Sequence, residues 1–104
     1  MRAAAVQLNS KDDKGRNLEA ADRLTREAAA DGATLVLLPE KFNVLGTHDD
    51  YLAGAEGLDG PTVEWARDTA RELGIDLVAG SFTEAADERG RNTCIHFGLS
   101  LIHI

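Results

Sequence analysis

The stretch Leu35-Val36-Leu37-Leu38-Pro39-Glu40-Lys41-Phe42-Asn43 decides the fold. Its opening run, Leu35 to Leu38, is apolar at every position, the pattern of a strand buried in a parallel sheet. Proline cannot donate to a central ladder, so the strand ends there and the chain turns. The turn delivers Glu40 to the strand's carboxyl end, where open α/β sheets bind ligands. Glu40 is therefore the candidate functional residue.

The flanking segments supply a βαβ unit. Arg2 to Leu8 reads as a first strand and Ser10 to Gly15 as a polar connection. Asn17 is the expected N-cap of a helix whose apolar side carries Leu18, Ala21, Leu24, Thr25 and Ala28. Glu19, Asp22, Arg23, Arg26 and Glu27 occupy its other side, and Gly32 is its stop. Strand, helix and strand in so short a span imply a parallel pair joined by a crossover.

Further along, residues 41–60 form a glycine-bearing connection of a length that is functional or partly helical in compact domains. Pro61 opens a second helix at its first position, with Val63, Ala66, Ala70 and Leu73 as its stripe and Gly74 as its stop. Ile75 to Ser81 reads as a third strand, Glu84 to Arg91 as a charged turn, and Asn92 to Phe97 as a fourth strand. Two helices can cover one face of such a sheet; nothing in the sequence covers the other. The pattern is that of part of a larger layered α/β domain.

Composition narrows the partners without naming a function. The 104 residues allow one small domain, and 43% hydrophobic content is ordinary for a globular chain. A formal net charge of −7 disfavours nucleic acid and anionic membranes as partners. No apolar run reaches membrane-spanning length, the N-terminus is too short in apolar residues for a signal peptide, and one cysteine fits a cytoplasmic location.

Arg2-Ala3-Ala4-Ala5-Val6-Gln7-Leu8-Asn9-Ser10, the helix from Asn17, Leu35-Val36-Leu37-Leu38-Pro39-Glu40, Gly80-Ser81 and Arg91-Asn92-Thr93 together resemble the start of the nitrilase superfamily, the carbon–nitrogen hydrolases. The resemblance runs from Met1 to Gly98 and leans to the amidase branch. It implies an α/β fold, the N-terminal part of an αββα sandwich, mainly βαβ with a second helix and two further strands. It also implies a Cys–Glu–Lys mechanism on a small linear amide and water, with no metal or organic cofactor.

Carried over, Glu40 resembles the catalytic glutamate, a general base towards the cysteine and then towards water. A thiol is mostly protonated at neutral pH and needs such a base. A glutamate suits the task when burial raises its pKa. The family's lysine and nucleophilic cysteine fall beyond the end of this sequence. Residues 1–98 are thus expected to be the N-terminal part of a carbon–nitrogen hydrolase domain that is inactive alone. A homo-oligomer is expected only of the full-length protein.

Other residues carry tempting chemistry. Cys94 and His96 share one face of a strand, but their surroundings do not resemble the family's cysteine motif, and Cys94 reads as a small buried hydrophobe. Lys41 reads as a rim charge pointing away from Glu40. His48, Asp49 and Asp50 read as a cap or solvated patch, not a metal site. The segment Gly54 to Gly60 lacks the strand-to-helix placement of a phosphate loop, and Trp65 reads as packing.

The tail Leu99-Ser100-Leu101-Ile102-His103-Ile104 resembles a translated sequencing adaptor and is expected to be non-native, the alternative being an edge strand. Two other readings of the whole chain stay open. One is a small flavodoxin-like ligand-binding or regulatory module in which Glu40 contacts a ligand. The other is a non-catalytic subunit donating Glu40 or an interface to another chain.

Overall fold

A computed structural model describes residues 1–85 and 90–98. Its elements are β1 (Ala3–Ala5), α1 (Lys14–Ala30), β2 (Leu35–Leu37), α2 (His48–Ala53), α3 (Pro61–Leu73), β3 (Asp76–Glu84) and β4 (Arg91–Phe97). They make one four-stranded sheet in the order β1-β2-β3-β4. The first three strands are parallel and β4 returns antiparallel to β3. A strictly sequential order with β1 at the edge differs from the flavodoxin-like order, in which the first strand lies inside the sheet. The tail from Leu99 and the tip of the charged turn lie outside the described residues.

Register explains how this sheet has one dry face. Ala4, Val36, Leu77 and Phe97 stand opposite one another across all four strands, and the last three are buried. They pack under α1 and α3 with Ala21, Ala66, Ala70 and Phe82. Side chains alternate across a strand, so the next row, Ala5, Leu37, Val78 and His96, faces the opposite way. Leu37 there is 39% exposed, an unusual state for a leucine at the centre of a parallel ladder. No described element covers that face.

Helix α1 starts earlier than expected. Asp13, in extended conformation, is the N-cap, and its carboxylate accepts the Arg16 amide at 3.2 Å. Asn17 lies inside the first turn and is buried, so it is not the cap. Gly32 follows the helix with φ of 93°, a conformation glycine adopts without a Cβ penalty. The 41–60 connection is partly helical: Thr47 and Asp50 form a reciprocal capping box at the start of α2. Asp50 is thus a cap, as the sequence suggests.

Helix α3 begins at Pro61 and closes at Gly74 in the left-handed conformation, with φ of 65°. Its N-cap is Gly60, which has no side chain to offer. The amide that needs capping is satisfied from elsewhere, and that substitution shapes the site.

Candidate functional site

Strand β2 stops before Pro39, and Glu40 and Lys41 form a turn at the sheet's carboxyl end. Lys41 takes a left-handed φ of 54°, costly for a residue with a long side chain and kept only where surroundings impose it. Ser81, at the corresponding level of β3, is what imposes it. Its amide donates to Pro39 O at 3.1 Å, its carbonyl accepts the Phe42 amide at 3.1 Å, and its Oγ accepts the Lys41 amide at 3.1 Å. Three hydrogen bonds from one buried serine hold the turn on both sides of Glu40.

Glu40 itself is exposed. Among the described residues its carboxylate has no hydrogen-bond or ion-pair partner. The apolar burial expected around it is therefore not supplied by these residues. Lys41 does not point into solvent as a plain rim charge. Its Nζ donates to Thr83 Oγ1 at 3.3 Å and sits 4.6 Å from the centre of the Tyr51 ring. Lys41 sits in a left-handed turn, not in an extended segment.

The other side of the turn is anchored by a buried polar cluster that sequence reasoning passed over. Phe42 and Asn43 are fully buried, and Phe42 packs at 6.1 Å from Trp65. Trp65 donates its indole N–H to Asp22, in keeping with a packing role. Asn43 Nδ2 donates to Thr62 Oγ1 at 3.0 Å and faces Glu56 Oε2 at 3.4 Å. Its carbonyl accepts Asn17 Nδ2 at 2.8 Å. Asn17 is thus a tether from α1 to the segment behind Glu40.

Glu56 lies at the centre of this cluster and is only 6% exposed. One oxygen accepts the Thr62 amide at 2.7 Å, supplying the cap that Gly60 cannot. The other faces Lys14 Nζ at 2.8 Å and accepts the Thr62 hydroxyl. Burial pushes this carboxyl up. The bonds from Lys14, the Thr62 hydroxyl and the Thr62 amide, with the Lys14 charge, outweigh burial and hold it below the usual carboxylate range. The missed signal was a glutamate upstream of a helix whose N-cap is glycine.

Cys94 is exposed, not a buried hydrophobe. It projects from β4 on the uncovered face, opposite Gly80 and two positions from His96. His96 Nε2 lies 3.0 Å from Asp76 Oδ1 on the same face. Among the described residues no group of three or more His, Cys, Asp or Glu side chains could hold a metal ion. No helix among them is long and apolar enough to cross a membrane.

A strand ending in Leu-Pro-Glu, backed by Gly-Ser on the next parallel strand, can be compared with known proteins. The carbon-nitrogen hydrolase family matches residues 2–100. The chain belongs to that family.

Among curated relatives, the chloroplastic ω-amidase of Arabidopsis thaliana is 36% identical over 97 residues, covering 88% of this chain and 26% of its own length. An ω-amidase of Danio rerio is 39% identical over 97 residues, covering 93% of this chain and 35% of its own length. The chain thus spans about a third or less of the length of these relatives. The structure of Saccharomyces cerevisiae Nit3, from branch 10 of the nitrilase superfamily, superposes with a TM-score of 0.79 at 27% identity. It covers 93% of this chain and 39% of that one. The C. elegans NitFhit protein, at 23% identity and a TM-score of 0.81, shows the same fold. The fold is that of the nitrilase superfamily.

Proposed function

We propose that this chain carries the general-base glutamate, Glu40, of an amidase that hydrolyses small linear amides through a Cys–Glu–Lys mechanism. The observation that carries the reading is the Glu40 turn: an exposed carboxylate at the sheet's carboxyl end, on a backbone held by three Ser81 hydrogen bonds. A rigid backbone with an open carboxylate suits a base that must reach a group on another segment. The ω-amidase relatives support an amide as substrate.

In this reading Glu40 takes the proton of a cysteine thiol as its sulfur attacks the amide carbonyl. The proton passes to the leaving nitrogen, ammonia departs, and a thioester remains. Glu40 then takes a proton from water as that water attacks the thioester, which releases the acid and the free thiol. A lysine stabilises the oxyanion of both tetrahedral states. The resemblance places cysteine and lysine after residue 98, so the chain by itself is proposed to be inactive. A second layer over the Leu37 face would also enclose Glu40. A cytoplasmic location and a homo-oligomeric complete enzyme belong to the same proposal.

The test is a chimera in which residues 1–98 replace the matching segment of the Danio rerio ω-amidase. Amide hydrolysis by the chimera, abolished in Glu40→Gln, is the expected result. An inactive, folded chimera, or an active E40Q form, overturns the reading. The 104-residue chain is the control and should release no ammonia.

A further inference from the structure

We infer that Glu56 is a positioning residue for Glu40, acting through Asn43. The inference rests on the reading of Glu40 as general base. Glu56 is fixed from every side. Its amide donates to Thr83 O at 3.1 Å and its carbonyl accepts the Ala85 amide at 2.7 Å, binding its backbone to the end of β3. Its carboxylate takes Lys14 from the start of α1 and Thr62 from the start of α3. Both helices begin at the sheet's carboxyl end, so one carboxylate ties together the elements surrounding the Glu40 turn.

Asn43 transmits this order. It is 1% exposed, and its side chain reaches Thr62 and Glu56 while its carbonyl is held by Asn17. The segment from Pro39 to Asn43 is therefore clamped at one end by Ser81 and at the other by the Glu56 cluster. Glu40 is the one residue of the segment with no side-chain or backbone clamp of its own among the described residues. Its carboxylate position is set by its neighbours. A shift of about 1 Å in a reacting group costs on the order of 100-fold in rate.

A residue that merely caps α3 would affect stability and leave turnover intact. The same chimera separates the two roles, using Glu56→Gln and Asn43→Leu. The second variant leaves Glu56 capping Thr62 and paired with Lys14, and it keeps the test open should E56Q fail to fold. The expected result is a kcat lowered about 10- to 100-fold in both, with KM changed less than about threefold. E40Q inactive with soluble E56Q and N43L forms as fast as the parent overturns this inference alone. An inactive parent, or E40Q as fast as the parent, overturns the general-base reading and this inference with it.

Discussion

The Lys14 ammonium lies 2.8 Å from a carboxylate oxygen of the buried Glu56, joining the first residue of α1 to the cap of α3. This pair gives the fold an acid-sensitive joint. Burial alone would raise the Glu56 pKa, but Lys14 and the two Thr62 donors hold it below the usual carboxylate range. A carboxyl whose folded pKa is depressed stabilises the protein fully above its unfolded pKa. That stabilisation is lost as pH falls through the lower folded pKa. Glu56→Gln should therefore cost roughly 2–3 kcal/mol at pH 7 and show a shallower loss below about pH 4.5 than the parent. Urea unfolding across a pH series measures both. Equal acid limbs in parent and variant would place the acid sensitivity elsewhere.

Ser81 is the second joint. Replacing it by alanine removes the acceptor of the Lys41 amide, while the two backbone bonds to Pro39 and Phe42 stay. Lys41 then loses part of what holds it at positive φ. Ser81→Ala should lower stability by about 1–2 kcal/mol and raise hydrogen exchange at the Lys41 amide well beyond that at Phe42. Equal acceleration at both amides would mean that the whole turn opens together.

Much of this was legible in the chain. Leu35 to Leu38 followed by Pro39 places Glu40 without any coordinates, because an all-apolar run and a strand-breaking proline admit few alternatives. The sheet face that no described element covers was legible too, from a count of helices against a strand apolar on both sides. The cap of α1 was not: Asp13 and Asn17 are both good caps, and only the buried bonds from Asn17 to Lys11 and Asn43 tell which does the capping. Glu56 was hidden among glycines in a segment that reads only as a functional or partly helical connection. The cap itself spans only six residues, from Glu56 to the Thr62 amide, but the partners that pair with the carboxylate, Lys14 and Asn43, come from more distant parts of the chain. Cys94 looked buried because thiols usually are; its strand faces the side that no described element covers.

Gly80 and Cys94 stand opposite each other on that side. A Cβ at position 80 would collide with Cys94 Sγ and come within 3.2 Å of its Cβ. The sulfur must leave its present position to admit the methyl, and the Cβ contact stays whatever the sulfur does. Gly80→Ala is expected to cost about 1–3 kcal/mol, with Cys94→Ala in the same chain restoring part of it. A double-mutant cycle by chemical unfolding gives the coupling. Strict additivity would show that the penalty comes from the backbone of β3 and not from this contact.

Thr25 offers a change in the opposite direction. It lies on the buried side of α1, wholly excluded from solvent, and its Oγ1 has no hydrogen-bond partner among the described residues. A buried hydroxyl without a partner costs on the order of 1–3 kcal/mol in lost hydration. Valine keeps the branched shape, fills the same space with a methyl group, and removes that cost. Its weaker helix propensity offsets little, since threonine is no better a helix former. Thr25→Val should therefore stabilise the chain by about 1 kcal/mol, a rise in Tm of roughly 4–8 °C for a domain of this size. Thermal unfolding followed by circular dichroism reads it directly. A lowered Tm would show that the hydroxyl is satisfied in solution and that the seat of Thr25 is wetter than its complete burial suggests.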